Sequence, residues 1–174
     1  MFQTKYIKMK NLILSITALF VTLSVSSQTI VDAAASNKDF STLVTALKAA
    51  DLVGALSGEG PFTVFAPNND AFGKIDSETL GSLLKPENVE SLTNILTYHV
   101  VSGKLMASDV AKALKDGYGK VELTALNGQT FISRSKGGKI FLEDKNGNMS
   151  EVIATDVVGT NGVIHVIDSV IMPE

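Results

Sequence analysis

The 174-residue chain has no cysteine and no tryptophan, only 4 prolines and 2 histidines, and just 19% charged residues. Without cysteine there is no disulfide, no thiolate zinc site, no iron–sulfur ligation and no cysteine nucleophile. The histidines, His99 and His165, stand 66 residues apart with no His/Asp/Glu cluster at ligand spacing beside either. A catalytic zinc site needs three protein ligands as a rule, so the sequence points to no metal. G-x-S-x-G, GxxxxGK[ST] and GxGxxG are all absent, which removes the usual signs of serine hydrolysis and phosphate cradling. The formal net charge of -3 argues against nucleic acid as a partner. Hydrophobic residues make up 45% of the chain, too many for a disordered segment.

The mean hydropathy of +0.23 has a partly local source. Lys5, Lys8 and Lys10 precede a charge-free stretch from Leu12 to Val25, which runs into Val25-Ser26-Ser27-Gln28. Basic, then apolar, then small residues form the secretory pattern, and predict a signal peptide over residues 1–27 and a domain over 28–174. Met9 would also serve as a start. The apolar run is shorter than the ~20 residues that span a bilayer, so no stable membrane span is expected after cleavage. Residues 28–174 hold 12 basic and 18 acidic side chains, a net charge of -6. The expected location is secreted, periplasmic or on the cell surface.

Apolar residues at three- and four-residue steps predict helices from Ile30 to the glycines at 54 and 58–60, with Asp39 or Ser41 as a cap. Phe62-Thr63-Val64-Phe65-Ala66 between Pro61 and Pro67 reads as a strand, with Phe62, Val64 and Ala66 on one face and Thr63 and Phe65 on the other. Asn68 to Asp70 offer caps for a helix carrying Phe72. Two more helices follow around Leu80 to Leu84 and Val89 to Leu96, and another is expected from Ser108 to Lys115 with Ser108 as cap. From Val121 on, strands alternate with Asn127-Gly128, Gly137-Gly138 and Asn146-Gly147, strong hairpin turns because they accept positive φ. The last strand is expected over Gly162 to Met172. Helices first and strands later, with one early strand joining the late sheet, is an α+β arrangement.

Few residues ask for a chemical role. Both histidines lie in apolar runs and read as core imidazoles bonded to backbone. Asp144-Lys145-Asn146-Gly147-Asn148 starts like a calcium loop but has Met149 and Thr155 where the loop needs Gly and Glu, so it reads as a polar turn. Asn148-Met149-Ser150 is a formal glycosylation sequon.

Three stretches stand in order along the chain: Gly60 to Phe72 (GPFTVFAPNNDAF), Ile95 to Gly103 (ILTYHVVSG) and Asn161 to Pro173 (NGVIHVIDSVIMP). Through them the chain resembles the fasciclin domain family over nearly all of residues 28–174. The resemblance implies an α+β wedge, a β-sheet core flanked by a bundle of short helices. It implies an extracellular or periplasmic adhesion and matrix role. The signal peptide and single-domain layout look bacterial, and without a catalytic constellation the expectation is a non-catalytic module with no cofactor, bound to an extracellular protein or polysaccharide, monomeric or weakly self-associating. By the family motifs, Thr63, Phe65, Pro67, Asp70, Phe72, Gly162, His165, Asp168 and Pro173 are expected to hold the fold. In animal relatives the Tyr-His region is implicated in integrin-dependent adhesion, which makes Tyr98, His99, Leu96 and Val100 binding candidates. The animal adhesion motif ahead of the last block is matched only at Asp156. The alternative is a small-ligand or carbohydrate carrier, or a hydrolase, with a pocket near His99 or His165.

Overall fold

The computed structural model of the chain describes residues 28–174. The expected signal peptide lies outside the described residues. Seven α-helices are described: α1 (Ile30–Ser36), α2 (Ser41–Ala49), α3 (Val53–Ser57), α4 (Asn69–Gly73), α5 (Ser77–Leu83), α6 (Val89–Tyr98) and α7 (Ala107–Asp116). The seven strands are β1 (Phe62–Pro67), β2 (Val100–Ser102), β3 (Lys120–Thr124), β4 (Thr130–Lys136), β5 (Lys139–Glu143), β6 (Met149–Gly159) and β7 (Gly162–Ile167).

The strands form one mixed sheet in the order β2-β1-β7-β6-β5-β4-β3. β1 runs parallel to β7, from Phe62 opposite Gly162 to Pro67 opposite Ile167, and antiparallel to β2. This early strand is thus bordered on both edges and covered on both faces, which explains its nearly continuous apolar sequence. Pro67 fits because the Phe65 N–H points to the β2 side, to the His99 carbonyl at 2.9 Å, and the same side at position 67 has already become α6. The sheet curls until β2 meets the end of β3, where Val101 bridges Ala125 and the Leu126 N–H donates to the Val100 carbonyl at 2.8 Å.

That curl makes two cores. Outside it, Val64, Ala66 and Ile164 pack against Ile30, Val31, Leu43, Leu47, Leu92 and Leu96 from the helices. Inside it lie Phe65, Tyr98, Phe131, Leu142, Ile167 and Ile171. The alternation expected for β1 is observed, with Val64 and Ala66 in one core and Phe65 in the other. Phe131 meets the rings of Phe65 and Tyr98 edge-on at centroid distances of 5.6 and 5.5 Å, a favourable aromatic geometry.

Several local expectations are corrected. Neither Asp39 nor Ser41 caps α2: Asn37 caps a short 3-10 turn, Lys38–Phe40, ahead of it. The Thr42 N–H is met instead by Asn69 Oδ1 at 3.0 Å, a cap supplied from α4. Gly54 lies inside α3 rather than ending a helix. α7 begins at Ala107, and Asp109 closes its first turn on the Met106 N–H at 2.9 Å, so Ser108 is not the cap. β7 stops at Ile167 rather than Met172, because Asp168 and Ser169 turn onto β6.

Candidate functional site

Tyr98 ends α6, His99 follows it, and Val100 opens β2. Here the chain passes between the two cores: Leu96 and Val100 pack into the helical one, Tyr98 into the one within the curl. Tyr98 is 0% exposed and His99 2%. The Tyr98 hydroxyl donates to the Thr130 carbonyl at 3.0 Å, tying α6 to β4. Burial, with the Asp144 carboxylate nearby, pushes this phenol up to about 12.

The bonding partners assign the tautomer of each imidazole. The Ile171 N–H can only donate, and it does so to His99 Nε2 at 3.2 Å, so the ring proton is on Nδ1 and bonds the Ile95 carbonyl at 2.8 Å. Burial holds His99 down to about 4, although the Ile95 carbonyl favours the charged ring. His165 uses the opposite tautomer: the Asp156 N–H donates to Nδ1 at 3.3 Å and Nε2 bonds the Leu105 carbonyl at 2.7 Å. Its ring also lies 5.5 Å from Phe65. Both imidazoles are therefore neutral bridges with one donor and one acceptor in use.

Asp156 and Asp168 are equally engaged. Asp156 sits at φ 61° in β6, and its Oδ1 accepts the Ala107 N–H at 2.8 Å at the start of α7. Asp168 accepts from the Glu151 N–H at 2.8 Å and pairs with Lys74 at 3.1 Å. Burial opposes its charge, but the Glu151 N–H, Lys74 and Ser169 outweigh burial and lower its pKa. Asp70 is an exposed acid in the first turn of α4, where it suits the helix dipole, and Phe72 fills the helical core. Buried Thr63 donates to the Gly103 carbonyl at 2.6 Å and accepts the Leu105 N–H at 2.8 Å. A Cβ on Gly162 would overlap the Phe62 carbonyl, so only glycine fits beside β1. Pro173 is half-buried in the C-terminal segment that follows β7.

Two structural residues stand outside the sequence-derived set. Asn161 Oδ1 accepts the Ile30 N–H at 3.0 Å, and its Nδ2 donates to the Leu56 and Gly58 carbonyls at 2.8 and 2.9 Å. It joins α1, α3 and the β6–β7 turn. Asp144, in the segment that starts like a calcium loop, is buried and accepts from the N–H groups of Asn146, Asn148 and Met172 at 2.9, 2.9 and 3.1 Å. It staples the turn to the C-terminal segment, across a sequence separation that hides its role.

The space beside His165, lined also by Phe65, Ala107, Val110, Ile140, Val152 and Thr155, amounts to about 10 Å³, the threshold for a single water. A wider cleft of about 670 Å³ opens elsewhere, between Ser57 to Pro61, Lys104 and Thr160 to Gly162. Among the described residues no three His, Cys, Asp or Glu are placed to hold a metal, and no helix is long and apolar enough to cross a membrane.

The fasciclin domain family model matches residues 38–173. The chain belongs to the fasciclin domain family. It is 51% identical over 148 residues to Protein sll1483 of Synechocystis sp., covering 85% of this chain and 75% of that protein. It is 33% identical over 141 residues to human Periostin, covering 79% of this chain but 15% of that protein. The fold matches a FAS1 domain pair from the insect cell adhesion molecule Fasciclin I with a TM-score of 0.71 at 21% identity, over 82% of this chain and 50% of that one. The fold is α+β, as the resemblance implies, and β7 lies inside its sheet between β1 and β6.

Proposed function

We propose that this chain is an exported, bacterial, non-catalytic adhesion module. Residues 1–27 direct export and are removed, and the domain over 28–174 acts outside the cytoplasm by holding a protein or polysaccharide on its surface. The observation that carries the reading is that the fasciclin match spans residues 38–173 while both imidazoles, Asp156 and Asp168 are committed to bonds that hold the fold. In this reading Tyr98, His99, Leu96 and Val100 build the junction between the two cores, and the binding face lies elsewhere on the surface. The domain needs no cofactor and works as a monomer with weak self-association.

An adhesion assay tests this. The purified protein, immobilised on beads, is expected to retain extracellular polymer or cells above the level of an unrelated protein of equal negative charge. Equal retention by both proteins refutes the adhesion role. Intact-mass analysis of protein from the culture medium tests export separately: an N-terminus at Gln28 is expected, and recovery only of the uncleaved chain from cells refutes it.

A further inference from the structure

The charges of the described chain are segregated. From Ala107 to Phe141 the sequence has six basic residues and three acidic ones, whereas the rest of residues 28–174 has six basic against fifteen acidic. The fold collects these cations at one end. Lys115 lies in the last turn of α7, Lys120 opens β3 directly opposite Arg134, and Lys136 faces Lys139 across the β4–β5 turn. Like charges directly opposite each other weaken a sheet. Glu143 offsets Arg134 and Glu151 offsets Lys139, but among the described residues no carboxylate pairs with Lys115, Lys120 or Lys136.

An aromatic ring stands at the same end. Tyr118, between α7 and β3, is 100% exposed and has a φ of 54°. A non-glycine residue in the left-handed region costs free energy, and a fully exposed ring gains no burial to offset it. The loop is nonetheless well anchored: the Gly119 N–H donates to the Leu114 carbonyl at 2.6 Å, and the Ser135 N–H donates to the Gly119 carbonyl at 2.9 Å. Beside it an open cleft of about 270 Å³ is lined by Ala111, Leu114, Lys115, Gly119, Ser135, Gly138 and Ile140.

We propose that this end of the domain binds an acidic polysaccharide. The free amines of Lys115, Lys120 and Lys136 meet successive carboxylate or sulfate groups, the Tyr118 ring supports the C–H face of one sugar, and the cleft beside it receives a sugar unit. A folded protein partner fits less well, because charged residues are depleted at the centre of stable protein interfaces, and here Lys115 lines the cleft itself. The proposal rests on the adhesion reading and names its site and ligand class.

The test uses the full chain as purified, with sodium alginate as the anionic probe and dextran as the neutral one. Alginate is expected to bind and dextran not, with binding weakened by added salt. The triple variant K115Q/K120Q/K136Q is expected to bind alginate roughly tenfold more weakly, and Y118A several-fold more weakly. A control triple on the helical side, K38Q/K48Q/K85Q, removes the same charge and is expected to bind within about threefold of the parent. Equal loss in both triples, or none in the first, overturns the proposal, since binding would then follow net charge or another face. Binding unchanged in Y118A overturns the stacking role of the ring. Failure to bind alginate by a protein that still adheres to cells overturns the ligand class and leaves the adhesion reading standing. Self-association in sedimentation that the first triple abolishes, without alginate binding, assigns the basic end to a second copy of the chain and overturns the proposal.

Discussion

The neutral bridge at His99 makes stability depend on pH in a window of its own. Protonation would place a second N–H, at Nε2, against the donating Ile171 N–H and put a charge into a site that is 2% exposed. The folded-state pKa is depressed by burial from 6.5 to about 4. The unfolded chain therefore binds the proton more readily, so the contribution is fully present above pH 6.5 and lost as pH falls toward 4. Each tenfold difference in proton affinity between the folded and unfolded chain is worth about 1.4 kcal/mol, so the full loss is about 3 kcal/mol, with about 2 kcal/mol of it already gone at pH 5. This is a large share of a stability that for domains of this kind totals roughly 5–15 kcal/mol. The lowered carboxylates Asp32 and Asp168 act in the same direction but only below the ordinary aspartate value of 3.8, which keeps the windows apart. Urea denaturation from pH 8 to pH 4.5 measures the slope, and the His99 ring resonances report the site directly. His99→Gln, which still offers a donor and an acceptor, is expected to flatten this part of the slope. Stability unchanged between pH 7 and pH 5, or a folded-state His99 titrating near 6.5, refutes the reasoning.

Other perturbations separate hydrogen bonding from packing. Tyr98→Phe keeps the ring among Phe131 and its neighbours but loses the bond to the Thr130 carbonyl, at an expected cost of about 1 kcal/mol in chemical denaturation. Tyr98→Ala also leaves a cavity and is expected to cost about 3–5 kcal/mol; equal losses in the two variants would place the whole effect in the hydroxyl. Asn161→Ala orphans the Ile30 N–H and two carbonyls and is expected to cost about 2–4 kcal/mol, with faster hydrogen exchange in α1. An unchanged midpoint in that variant would mean that water replaces all of its bonds.

Legibility follows the distance over which each feature is decided. The face alternation of β1 and the turns at Asn127-Gly128, Gly137-Gly138 and Asn146-Gly147 depend on neighbouring residues, and the structure bears them out. The local cap of α4 by Asn68 is legible, whereas two others are supplied by distant chain: Asn69 serves α2 and Asp156 adds to α7. The end of β7 escapes the sequence pattern for the same reason, since Asp168 and Ser169 bond to β6 although the run to Met172 stays apolar. Asn161 and Asp144 stand beside turns in the sequence, and no local pattern distinguishes a turn asparagine from one that joins helices across 131 positions.

By itself the sequence determined the absence of thiol chemistry, the α+β order of elements and the family blocks, because composition, periodicity and short motifs are properties of adjacent residues. Only the tertiary structure decided that the sheet curls around a second core, that the two histidines hold opposite neutral tautomers, and that the basic residues gather beside Tyr118. Each of these depends on groups brought together from distant parts of the chain: a hydrogen-bond partner assigns a tautomer, strand register places one lysine opposite another, and closure of the sheet buries the rings.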